Sequence, residues 1–160
     1  MLCLTEVLLF GWSCRRNTLQ PDAYSYVTFE TTCLGSSMDG TMRVMAWGTG
    51  PTTAVAIENA KRNALRDVIF KGINSGSPEC NHNALTYEIN AQERYEDYFN
   101  AFFAEGGAYM RYATLADETL TSRTKANGNV QKGYSVVVRV NRSALKQRLI
   151  DDHVITQQIY

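Results

Sequence analysis

The chain has no surplus charge of either sign: 16 basic residues meet 16 acidic ones. General nucleic-acid binding needs a cationic surface to displace counterions, so this balance, with no basic run, argues against it. Histidine is scarce, with only His82 and His153 present. Cys80 and His82 have the spacing of half a metal site. No second Cys/His pair lies at a usable distance, so no metal is expected. No apolar run is long enough for a permanent membrane-crossing helix, because the greasy opening segment stops at Trp12. Catalytic signatures are also missing. There is no nucleophile elbow, and Glu93, Glu96 and Asp97 read as the solvated, dipole-favoured first turn of a helix. Gly48-Thr49-Gly50 lacks the third glycine of a dinucleotide loop and the Lys-Ser/Thr of a phosphate loop, and Pro51 removes an amide donor. It reads as a structural turn. Neither an enzyme nor a cofactor is expected.

Aromatic residues are plentiful, with nine tyrosines and six phenylalanines. Such a supply either thickens a small core or lines a protein contact surface. A hydrophobic content of 44% is enough for one core.

The first 13 residues have the length of a signal-peptide hydrophobic region, although Glu6 is out of place and no positive n-region precedes it. An earlier start would explain both. Leu8-Leu9-Phe10-Gly11-Trp12-Ser13-Cys14 resembles a bacterial lipobox, with Ser13 before the cut and Cys14 receiving the lipid. Gly11 and Trp12 depart from the usual pattern. The other reading is a buried N-terminal element with Cys14 as a core thiol. Residues 14–23 then form a tether, and residues 24–160 one domain. With Cys3 removed and Cys14 lipidated, Cys33 and Cys80 remain as an even pair. They either form a disulfide in an oxidising periplasm or stay unrelated thiols.

Along the domain, Tyr24 to Leu34 reads as a strand and Asp39-Gly40 as a hairpin turn. Thr41 to Trp47 is a second strand, delivering the chain to Gly48. The next stretch is the strongest helix signal. Thr52 or Thr53 caps it, Ala54, Ile57, Ala60, Ala64, Leu65 and Val68 share a face, and Gly72 stops it. Lys61, Arg62, Arg66 and Asp67 mostly face away. Three alanines on the buried stripe allow close approach to a sheet. Residues 74–83 read as an exposed loop. Asn90 with Glu93 opens a second helix to Glu105, striped by Tyr95, Tyr98, Phe99, Phe102 and Phe103. Ala108 to Leu115 reads as a strand, and Ala116-Asp117-Glu118-Thr119 breaks it. Leu120 to Lys125 and Val130 to Val140 flank an Asn127-Gly128 hairpin signal. Tyr134, Val136, Val138 and Val140 share one strand face, and Val137 and Arg139 the other. Asn141 caps a last helix to Asp152. The tail His153 to Tyr160 is a terminal strand or a segment ordered by a partner. The expected fold is α+β: an antiparallel sheet of about four to five strands packed against two or three helices.

The Ala-Ile-x-x-Ala-x-x-x-Ala-Leu pattern of Ala56 to Leu65, followed by Tyr-Ser-Val-Val-Val-Arg-Val at Tyr134 to Val140 and a short Leu-rich helix, resembles the small α+β domain of LPP20-type lipoproteins and of the flagellar FlgT N-terminal domain. The likeness covers about residues 24 to 150. The long insertion holding the aromatic helix departs from the simplest members. The chain is also similar to small lipoproteins of Bacteroidetes, including that of the type VI secretion trans-envelope complex. These resemblances imply a non-enzymatic subunit of a Gram-negative envelope-spanning assembly. It would be lipid-anchored at the periplasmic face of the outer membrane and bind other subunits, not nucleic acid. The residues expected at that contact are Tyr95, Tyr98, Tyr109 and Tyr112. The alternative is a periplasmic lipoprotein binding a small ligand or peptidoglycan with tyrosines and Arg111 or Arg139.

Overall fold

A computed structural model describes residues 30–80, 83–116, 124–127 and 132–156. The leader, Cys14, the tether, residues 24–29 of the first expected strand, His82, most of the expected break after Ala116 and the last four residues lie outside them. The fold is α+β. Among the described residues six strands, β1 (Thr32–Ser36), β2 (Thr41–Gly50), β3 (Ser75–Gly76), β4 (Ala113–Leu115), β5 (Thr124–Asn127) and β6 (Lys132–Asn141), fill five positions of an open sheet. The order is β3-β1-β2-β6-β4, and β5 lies beside the early part of β6 where β4 lies beside its end. The sheet is mostly antiparallel; β1 and β3 run parallel. Helices α1 (Thr53–Arg66), α2 (Ala91–Arg94), α3 (Glu96–Phe103) and α4 (Arg142–Asp151) accompany it.

The β2–β6 ladder sets the core. Met42, Val44 and Ala46 pair with Val140, Val138 and Val136, so six apolar side chains share one buried face. Helix α1 lies on that face. Thr52 caps it, its side chain accepting from the Val55 amide at 3.3 Å. Its buried residues are Ala56, Ala60, Lys61, Ala64 and Leu65. The expected stripe is thus rotated: Ala54 is exposed and Lys61, expected outward, is buried beside Glu58.

Gly48 and Gly50 do not form a turn. Both belong to β2, which runs three residues past Trp47. A Cβ at Gly48 would sit 2.0 Å from the Ala56 carbonyl oxygen and 2.3 Å from the Ala60 nitrogen. Glycine is there so that helix backbone can rest directly on strand backbone. Among the described residues, pairing of β2 with β1 ends at Met45. Asn63 and Asn59 of α1 bind the last part of β2, their side-chain amides donating to the Trp47 and Thr49 carbonyls at 2.9 and 2.8 Å. Polar helix residues thus hydrogen-bond strand backbone directly.

Helix α1 continues as one π-helical turn, Asp67–Lys71, and stops at Gly72 with φ 75°. The second expected helix is broken at Tyr95 into α2 and α3, and Asn90 makes no side-chain cap bond. Phe99, Phe102 and Phe103 of α3 and Leu145 and Leu149 of α4 close the core over α1 and the sheet. The expected strand from Ala108 is a 3-10 turn, Ala108–Arg111, and only Ala113–Leu115 extends. Asn127 belongs to β5 and pairs with Lys132; Gly128 of the expected hairpin turn lies outside the described residues. Asn141 caps α4 as expected, accepting from the Ala144 amide at 3.0 Å. The described start of the expected terminal segment, residues 153–156, is a turn. His153 (φ 57°) donates its amide to the Ile150 carbonyl and Val154 donates to Leu149, both at 2.9 Å. That is a Schellman motif with histidine where glycine is usual, and Val154 is buried by it.

Candidate functional site

Three features carry chemistry: a cross-link, a set of held tyrosines, and a cleft with an exposed ridge beside it. Cys33 and Cys80 are joined by a disulfide, with Cα atoms 6.4 Å apart. Cys33 sits on the inward face of β1 at a bulge, and the loop after β3 folds back to bring Cys80 onto it. Of the two readings left open by spacing, the structure holds the bonded one. Both cysteines are buried in the core, so the loop is not simply solvated.

The tyrosines expected at a partner contact divide. Tyr109 is not available: it is 1% exposed, because the 3-10 turn points it into the core. Its hydroxyl donates to Glu58 at 2.7 Å, Arg62 lies over its ring at 4.8 Å, and Glu58 also pairs with Lys61 at 2.7 Å. Tyr98 is half-buried and donates to Asp152 at 2.7 Å, tying α3 to α4. Tyr95 and Tyr112 pack their rings against the core. These side chains hold helices together and offer little free surface.

Burial, then the bond to Glu58, pushes the Tyr109 phenol up to about 12, and burial with the bond to Asp152 pushes Tyr98 higher still. Burial alone would raise the Glu58 carboxyl, but hydrogen bonds from Lys61 and Tyr109 and the charges of Lys61 and Arg62 hold it below its ordinary value. A tyrosine raised on folding stabilises the fold fully below its unfolded value of 10.0, and that contribution is lost as pH rises through about 12. Thermal melts should therefore fall steadily above pH 10, and Tyr109→Phe should flatten part of that fall. The same variant should cost about 1–2 kcal/mol at neutral pH, because Glu58 loses a donor.

The cleft has a volume of about 480 Å³ and runs along α4. The segment after residue 83 forms its opposite wall. Leu85 and Thr86 donate their amides to the Val68 and Ile69 carbonyls, both at 3.0 Å, fixing the segment to the end of α1. Beyond these anchors Tyr87 and Ile89 stand out as a ridge, 65% and 99% exposed. The Schellman turn at His153 to Ile155 closes the far end of the cleft. Arg142 and Lys146, one turn apart on α4, line it together with Arg94, which pairs with Glu88 at 2.5 Å. Arg111 and Arg139 are the arginines expected to meet a ligand. Both are exposed elsewhere, and neither lines this cleft. The i, i+4 spacing of Arg142 and Lys146 was the available signal, and it looks the same as any solvated helix face.

Among the described residues no cluster of three His, Cys, Asp or Glu could hold a metal, and no helix is long and apolar enough to cross a membrane. Searches of family models, curated proteins and solved structures find no match for this chain.

Proposed function

We propose that the chain is a lipid-anchored, non-enzymatic subunit of a Gram-negative envelope-spanning assembly. Cys14 carries the lipid at the periplasmic face of the outer membrane, and the domain works by protein contact. The observation that carries this reading is the Cys33–Cys80 disulfide. Disulfides persist in oxidising compartments and are rare in the cytosol, so the bond fits an exported domain. Export agrees with the apolar leader and its lipobox-like end at Cys14. The LPP20-type and secretion-system resemblances supply the class of assembly. The contact surface is the Tyr87–Ile89 ridge rather than the tyrosines of α3 and the 3-10 turn. An apolar side chain held almost fully in solvent on an anchored segment is what a partner would cover.

Replacing Cys14 by Ser and fractionating cells tests the anchor. The native protein should sediment with outer membranes and the variant should not. Equal distribution of the two would end this reading. Pull-down of native protein from solubilised envelopes, with and without Ile89→Asp, should show a partner lost in the variant.

A further inference from the structure

We propose that the cleft along α4 is a binding site for a small ligand bearing a phosphate or carboxylate group. The inference holds whether or not Cys14 carries a lipid. The chain as a whole is neutral, yet among the described residues three cationic side chains, Arg94, Arg142 and Lys146, meet only one carboxylate, Glu88, on these walls. That carboxylate is already occupied by Arg94. Two positive charges are therefore left uncompensated in one concave place.

Arg142 is the more informative of the two. Its guanidinium is partly buried, which disfavours its charge. It occupies the first turn of α4, where the helix dipole also disfavours a cation. Among the described residues its guanidinium donates from Nη2 to the Asn83 carbonyl at 3.0 Å, and its Nε is buried without a partner. A buried charged donor left unmatched is costly, and natural structures rarely keep one without use. Lys146, one turn on, has no hydrogen-bond or ion-pair partner among the described residues. An oxyanion between the two would compensate both charges, with Arg142 offering guanidinium N–H donors and Lys146 a point charge.

The rest of the cleft limits the ligand. Tyr87 and Tyr95 line it, and Leu85, Val154 and Ile155 give apolar wall. A volume of about 480 Å³ suits a body of small-molecule size. The expected ligand thus has one anionic head and a compact, partly apolar or ring-bearing body.

The test is calorimetric titration of the intact protein with inorganic phosphate and, separately, with citrate, at ionic strength fixed by sodium chloride. Saturable one-to-one binding of at least one is expected. Binding of phosphate alone assigns a phosphoryl ligand, and binding of citrate alone a carboxylate. Lys146→Gln should weaken binding about tenfold or more, as loss of a charge-assisted bond does. Lys146 is exposed and holds no other group, so this variant keeps its fold. Arg142→Gln should weaken it at least as much. No saturable binding in the native protein, or affinity unchanged in Lys146→Gln, overturns the proposal.

Discussion

Reducing the Cys33–Cys80 disulfide should lower stability by about 4 kcal/mol, the largest single loss expected from removing one bond in this chain. The bond closes a loop with a sequence separation of 47 residues, which contains β2, α1 and β3. Chain entropy in the unfolded state grows with the logarithm of that length, and the cross-link removes it. Both sulfurs are buried, so the reduced protein keeps most of its apolar packing, and the loss falls mainly on the unfolded side. Denaturant titrations of oxidised and reduced protein, and of the Cys33→Ala/Cys80→Ala variant, check this. The oxidised midpoint should be well above both others. Equal midpoints would mean that the two cysteines do not stay joined in solution.

Gly48→Ala should be nearly as damaging, costing about 3 kcal/mol or more and roughly 10 °C of melting temperature. One methyl group is added, but what it meets is backbone, with the Ala56 oxygen at 2.0 Å and the Ala60 nitrogen at 2.3 Å. No rotamer change relieves such a clash. Helix α1 would have to lift from β2, loosening Ala60, Ala64 and Leu65 together and pulling Asn59 and Asn63 away from the Thr49 and Trp47 carbonyls. Gly106→Ala is the natural control. Gly106 has φ 70° but nothing within 4 Å, so alanine there brings backbone strain alone, about 1–2 kcal/mol. A Gly48→Ala protein as stable as that control would mean the helix does not rest on the strand.

The contrast between these glycines shows what local sequence could convey. Helix α1, its Thr52 cap, the β6 valines and the Asn141 cap each follow from short-range pattern: period 3.6, period 2, or a polar side chain placed to accept an amide. The α+β class follows from those alone. Gly48 and Gly50 were read as a turn because two glycines before a proline usually make one. Their purpose lies in a helix packed across them, which no local pattern records. Tyr109 was placed on a strand by alternation over Ala108 to Leu115. Alternation cannot tell a short strand from a 3-10 turn whose buried ring meets Glu58, a residue 51 positions away. Helical spacing turns Lys61 away from the apolar stripe, but Glu58 one turn earlier pairs with it and lets it lie against the core. The cleft was least legible of all. Arg142, Lys146, Arg94 and the Leu85–Tyr87 segment come from distant parts of the chain, and only the docking of Leu85 and Thr86 onto the end of α1 brings them face to face.

Peptide mapping of the protein purified from its own cells, without reductant, is the most direct trial of an exported, anchored, cross-linked domain. The expected result is an amino terminus that begins at an acylated Cys14, together with a linked peptide pair holding Cys33 and Cys80. An unacylated chain still carrying Met1 to Ser13, with Cys33 and Cys80 both open to alkylation, would contradict it.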